Sequence, residues 1–387
     1  ERVQPLPFRT HLAHLRHKLP AFGWSTRKNQ PLRIGFYVPW DAESTSSLNT
    51  HYDDLDWVVA SDAAILPNKR DLVSLDDPTL QTIRRNRLHQ PQYHLMVQNA
   101  DEGHWFGPEM EAIFANPQAS DRLIQQTIAA VQSRHWQGAV FDLENLTPAA
   151  LKAYPAFLAR AYPRFKAAGV SLALTVPAGD PDWDLRKIAQ NVDHVFFMNY
   201  DEHWQGGEAG PIASQAWFTQ QLAQAKRDIP PKKLIVAIGN YAYDWHDGKA
   251  DALTVNEAWL AASDSGTMPQ FDPASGNSGL AYDDDGHRHT IWMMDAATSW
   301  NQMTLLQDVQ GIALWRLGSE DPGYWEALNA IIAKRKDHQT FDAVMEHLFA
   351  LLFGRDPILR QRPHKRLTRA VLFYMYWNCD IGREADA

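Results

Sequence analysis

Cysteine is almost missing from this chain: Cys379 is the only one in 387 residues. That excludes an internal disulfide framework and any cysteine-built zinc site, while leaving the redox compartment open. Positive charge is also in short supply, with 37 Lys and Arg against 46 Asp and Glu and a net charge of -9. No basic stripe with interleaved aromatics offsets it, so nucleic acid is not an expected partner. No apolar run approaches the roughly 18 to 20 residues of a membrane span, and no secretory apolar segment opens the chain. Numbering starts at Glu1 rather than Met, compatible with a leader or anchor removed ahead of it. Internal repeats, low-complexity tracts, phosphate-cradling glycine loops and a serine nucleophile elbow are all missing. What remains is a chain that is 45% hydrophobic and 21% charged, long enough to bury one large core or two smaller ones.

Apolar strand candidates alternate with helical stretches, the pattern of a parallel α/β sheet. Eight are expected: 32–38, 57–66, 93–97, 138–143, 171–176, 194–199, 234–238 and 311–317. Between them, 120–133 places Leu123, Ile124, Ile128 and Val131 on one helical face, and a second helix runs from Pro148 to Ala168 until Gly169 stops it. Eight strands over about 290 residues suit a (β/α)8 TIM barrel, with a doubly wound sheet as the runner-up. About 70 residues separate the last two strands, far more than a connection needs. An α+β insertion is therefore expected at about 241–295, with a hairpin turning at Asp285-Gly286. The barrel is assigned to 31–337, an N-terminal extension to 1–30 and a C-terminal helical extension to 338–387.

In Gly138-Ala139-Val140-Phe141-Asp142-Leu143-Glu144, an apolar strand ends in two carboxylates. Side chains at i and i+2 share a strand face, so Asp142 and Glu144 lie roughly 6 to 7 Å apart along the backbone. Like charges at the end of a hydrophobic strand repel and are partly desolvated, which raises the pKa of one of them and makes a proton donor for neutral pH. A solvated strand end feeding a helix cap is the plainer alternative. Barrel active sites gather at the C-terminal strand ends. Strand six there supplies Met198-Asn199-Tyr200-Asp201, and strand eight supplies Trp315.

Taken together, these three strand ends resemble glycoside hydrolase family 18, the chitinase-like barrels, whose signature is D-G-x-D-x-D-x-E on strand four, M-x-Y-D on strand six and a tryptophan on strand eight. Gly138, Asp142 and Glu144 fit the first element, whereas Gln137 and Val140 replace its first two aspartates; the other two elements are complete. Ile34 to Asp41 also looks like the opening of the barrel found in bacterial proteins that fuse this hydrolase to a deacetylase and a glycosyltransferase. The resemblance implies a retaining hydrolase of β-1,4-linked N-acetylglucosamine glycans. Glu144 would be the acid/base and the substrate's acetamido group the nucleophile, while Asp142, Tyr200 and Asp201 hold that group. With Val140 in place of an aspartate, Asp142 is expected to depend on burial and on Glu144 for its pKa.

Fifteen tryptophans suit stacking on sugar faces. Trp315 is the expected floor; Met198, Asn199, Trp40, Phe36, Trp204, Tyr241 and Trp105 are further wall candidates, and Trp245 and Trp292 are as readily core. Sixteen histidines warrant a metal test, but His11, His14 and His17, or His287 and His289, lack an accompanying carboxylate pattern. No metal or cofactor is expected. The basic tail from Arg355 to Arg369 is a solvated helix face or a contact for anionic lipid or a partner domain. An extracytoplasmic, envelope-facing setting follows from the implied glycan. Besides hydrolysis, a non-catalytic carbohydrate-binding barrel fits the same residues.

Overall fold

The computed structural model describes residues 30–337 except 67–70, 75–76, 86, 102 and 307. The extensions at 1–29 and 338–387, with His11, His14, His17, Cys379 and the basic tail, lie outside the described residues. Eight parallel strands close a barrel: β1 (Leu32–Tyr37), β2 (Trp57–Ile65), β3 (Gln92–Gln98), β4 (Gly138–Asp142), β5 (Ser171–Pro177), β6 (His194–Met198), β7 (Leu234–Gly239) and β8 (Gly311–Trp315). Closure comes from pairing β1 with β2, Ile34 opposite Trp57, and with β8, Leu32 opposite Gly311. Each strand lies within two residues of its expected bounds. All five residues of β4 and all six of β7 are buried, as strands covered on both faces require.

Helix starts follow local chemistry. Asn116 accepts from the N–H groups of Gln118 and Ala119, and Pro117 opens the helix Pro117–Ser133 at a position where its missing donor costs nothing. Thr147 caps Pro148–Ala167 through the N–H of Ala150 at 3.1 Å, and Gly169, at φ +69°, takes the left-handed turn that ends it. The carboxylate strand thus hands over to a helix within a few residues, pinning the loop between them at both ends.

Between β7 and β8 lies a five-stranded antiparallel sheet, ordered Lys249–Leu253, Ala242–His246, His287–Met293, Asn277–Asp284 and Gln270–Asp272. The helix Val255–Ser265, opened by a Thr254/Glu257 capping box, covers one face with Val255, Ala258 and Ala262. Asp285 and Gly286 turn the 277–293 hairpin at φ +46° and +87°, the both-positive geometry that matches strand twist. Along Ala242–His246, alternation sends Ala242 into this small core and Tyr243 and Trp245 into the barrel core. Elements with no individual expectation include Leu72–Ser74, antiparallel to β2, and a hairpin of Ala100–Asp101 with His104–Trp105 beyond β3.

Candidate active site

Asp142 is the last residue of β4, and its carboxyl is buried inside the barrel. Thr175 of β5 donates to its Oδ1 at 2.6 Å and Gln98 of β3 donates to its Oδ2 at 2.8 Å. Val140, on the same inward face, is fully buried and offers it nothing polar. Burial pushes the Asp142 pKa up, and the two donors pull against that.

Glu144, two residues on, is half-buried. Its main chain is clamped by Asn99, whose Oδ1 accepts from the Glu144 N–H and whose Nδ2 donates to the Glu144 carbonyl, both at 2.9 Å. Burial first, then the charges of Asp142 and Asp201, raise the Glu144 carboxyl to about 8. A carboxylic acid that keeps its proton at neutral pH is the result.

Beyond β6, Tyr200 is buried, and desolvation with the neighbouring carboxylates raises its pKa well above that of a free phenol. Asp201 sits at φ +67°, a left-handed conformation that Asp tolerates better than most residues. Tyr241 donates to its Oδ1 at 2.5 Å and Tyr243 to the same oxygen at 3.2 Å. The residue reaches solvent at the cavity mouth, yet surrounding protein desolvates its carboxyl enough to raise it to about 6 against those two donors.

Glu144, Asp142, Tyr200, Asp201, Trp315, Met198, Phe36, Trp204 and Trp105 all line one cavity of about 680 Å³ at the C-terminal end of the barrel. Phe36 meets Trp315 edge to face at 5.3 Å, bracing the floor. Three expected residues are placed otherwise. Asn199 is fully buried with its side chain donating to the Phe218 carbonyl at 3.1 Å, because strand alternation turns it outward between Met198 and Tyr200. Trp40 follows β1 in a turn and is 63% exposed, outside the cavity lining. Tyr241 stands behind the cavity lining, donating to Asp201 and meeting Tyr200 edge to face at 6.0 Å. Trp245 is buried, its indole donating to the Gly207 carbonyl at 3.2 Å. Gln98, Asn99, Thr175, Trp183 and Tyr243 carry site contacts that sequence reading missed; polar Gln98-Asn99 ending an apolar strand, and Thr175 within one, were the available signals.

Among the described residues, one group has the donors for a metal: Asp244, His246 and His289, with ligand atoms within 4.8 Å of one another on the insertion sheet. Its nitrogens are engaged by carboxylates, His289 with Asp244 at 2.7 Å and His246 with Asp251 at 2.8 Å. Cross-strand pairing supplies the carboxylate that sequence spacing around His289 did not show.

A closed parallel barrel with paired acids and an aromatic floor at its C-terminal end defines a class of carbohydrate-cleaving enzyme. Residues 33–320 match the glycosyl hydrolases family 18, and the chain belongs to that family as a glycoside hydrolase. A shorter match, to C-terminal domain 12 of the ABC-three component (ABC-3C) systems, covers residues 325–382. The chain is 24% identical over 319 residues to the uncharacterized glycosylase YvbX of Bacillus subtilis (strain 168), spanning 78% of this chain and 92% of that one. It is 25% identical over 261 residues to the cortical fragment-lytic enzyme of Bacillus anthracis, spanning 62% and 60%. Among solved structures, a chitinase from Chromobacterium violaceum ATCC 12472 superposes with a TM-score of 0.72 at 22% identity, covering 78% of this chain and 99% of that one. The spore cortex-lytic enzyme SleL of Bacillus megaterium QM B1551 gives 0.69 at 20% identity, covering 78% and 74%.

Proposed function

We propose that this hydrolase cleaves β-1,4-linked glycans containing N-acetylglucosamine, with retention, by substrate-assisted catalysis. The observation that carries the proposal is Glu144, a carboxyl raised to about 8 that lines the cavity with Asp142, Tyr200 and Asp201. Protonated Glu144 donates to the glycosidic oxygen as the bond to the anomeric carbon breaks. The acetamido carbonyl oxygen of the same sugar closes on that carbon to give an oxazolinium ion, so no protein carboxylate is needed as nucleophile. Asp142 accepts from the acetamido N–H and offsets its growing positive charge. The Tyr200 hydroxyl donates to the acetamido oxygen, and Asp201, aimed by Tyr241 and Tyr243, holds the sugar. Ionised Glu144 then takes a proton from the water that opens the ring, restoring the acid and leaving the original anomeric configuration.

Trp315, braced by Phe36, lies under the reacting sugar, while Trp105 and Trp204 at the mouth stack on its neighbours. Support for the glycan comes from relatives: chitinases, spore cortex-lytic enzymes, and a class V chitinase of Nicotiana tobaccum solved in complex with NAG4. Such a polymer suits an extracytoplasmic setting. Comparing acetylated with deacetylated glucosamine oligomers tests the mechanism. Cleavage is expected only where the sugar contributing the anomeric carbon carries its acetyl group. Equal rates on both would point to a carboxylate nucleophile instead.

A further inference from the structure

A carboxylate as deeply buried as Asp142, 3% exposed, needs compensation for the water it has lost. Among the described residues, no Lys, Arg or His stands against it as a counter-charge. The groups that face it are Glu144 just past the end of β4, Tyr200 beyond β6 and Tyr154 of the helix Pro148–Ala167, each raised in part by its charge, with Asp201 acting in turn on Glu144. Each of those is acidic or a phenol, so none brings a positive charge to Asp142.

Compensation comes from neutral donors on the flanking strands. Gln98 of β3 and Thr175 of β5 each donate to a different carboxyl oxygen. Behind Gln98, the Ser61 hydroxyl of β2 donates to Oε1 at 2.7 Å, leaving the amide N–H directed at Asp142. The opposite amide orientation would set a carbonyl oxygen against the carboxylate. Ser61 is 2% exposed and lies outside the cavity lining. Hydrogen bonds thus run across four adjacent strands, from β2 through β3 to β4 and back from β5.

We propose that Ser61, Gln98 and Thr175 act as positioning residues that keep Asp142 ionised and aimed throughout turnover, so that the proton of the acid pair resides on Glu144. Hydrogen bonds to the charged form favour it, and Ser61 acts on Asp142 only through Gln98. For its kinetic consequence the inference rests on the glycosidase reading above; its titration does not.

The test is a carbon-13 NMR titration of the Asp142 carboxyl, assigned with Asp142→Asn, in wild type, Gln98→Met, Ser61→Ala and Thr175→Val. Asp142 is expected to be ionised at pH 7 in wild type, and its titration to move upward by about a unit or more in Gln98→Met and Thr175→Val, and by less in Ser61→Ala. In step, kcat on N-acetylglucosamine oligomers at pH 7 should fall about tenfold in the first two while KM changes less than threefold, and the acid limb of kcat/KM should shift with the titration. Thr175→Val keeps the shape of the side chain and so carries the test if Gln98→Met fails to fold. A protonated Asp142 at pH 7 in wild type, or a titration unmoved by removal of either donor, overturns the proposal. An inactive wild type would defeat the glycosidase reading and leave the titration to decide the belt of donors alone.

Discussion

In the proposed mechanism, two carboxyls separated by one residue take opposite tasks because their surroundings differ. Glu144 faces Asp142 and Asp201 across a desolvated cavity and, among the described residues, has no side-chain donor to its carboxyl, whereas Asp142 has a donor on each oxygen. As the proposed acid, Glu144 must be protonated, so kcat/KM should decline above about pH 8, the value to which its carboxyl is raised. A limb below pH 6 as the only break in the profile would contradict that. Stability has its own sign. The folded chain holds the Glu144 proton more tightly than the unfolded chain, whose carboxyl titrates near 4.5. Its contribution is therefore fully present below 4.5 and lost as pH rises through about 8. Glu144→Gln should thus melt higher than wild type at pH 8 to 9, by on the order of 2 °C, with the gap closing towards pH 4. An identical melting difference at both pH values would count against the raised carboxyl.

At the scale of elements, β4 is held where two neighbours leave no room. An added Cβ on Gly138 would fall 2.9 Å from the Ser171 carbonyl and 2.6 Å from the His94 ring, and these residues pair with Gly138 on β5 and β3. Gly138→Ala should therefore cost about 1 to 3 kcal/mol, measured by denaturant unfolding, and lower kcat as Asp142 and Glu144 shift with the strand. A variant with wild-type stability would mean that β4 has slack. The strands themselves were legible in the sequence because each is a short apolar run between turn residues, and the Asp285-Gly286 hairpin because only a both-positive turn favours that pair. Asn99 clamping Glu144 was not legible. Its amide and the main chain it binds are 45 residues apart, and no local periodicity reports a contact between adjacent strands. Asn199 misled for the complementary reason: it belongs to a motif, but parity turns it to the helix side.

Across the whole molecule, the cavity is a product of barrel closure. Phe36 from β1 and Trp315 from β8 meet only because the first and last strands pair. The insertion contributes through alternation, since Tyr243 reaches Asp201 while Ala242 just before it feeds a separate core. An unusually long gap between strands signalled an insertion, but its pairing of Ala242–His246 with His287–Met293 depends on residues more than 40 positions apart. The aromatic cavity wall and the acid pair converge on one expectation about Glu144. The most direct measurement is release of reducing ends from N-acetylglucosamine oligomers by wild type and Glu144→Gln, with oligomer binding measured alongside. The account predicts a loss of at least about a thousandfold in kcat with affinity retained; a variant that keeps more than about a tenth of wild-type turnover would contradict it.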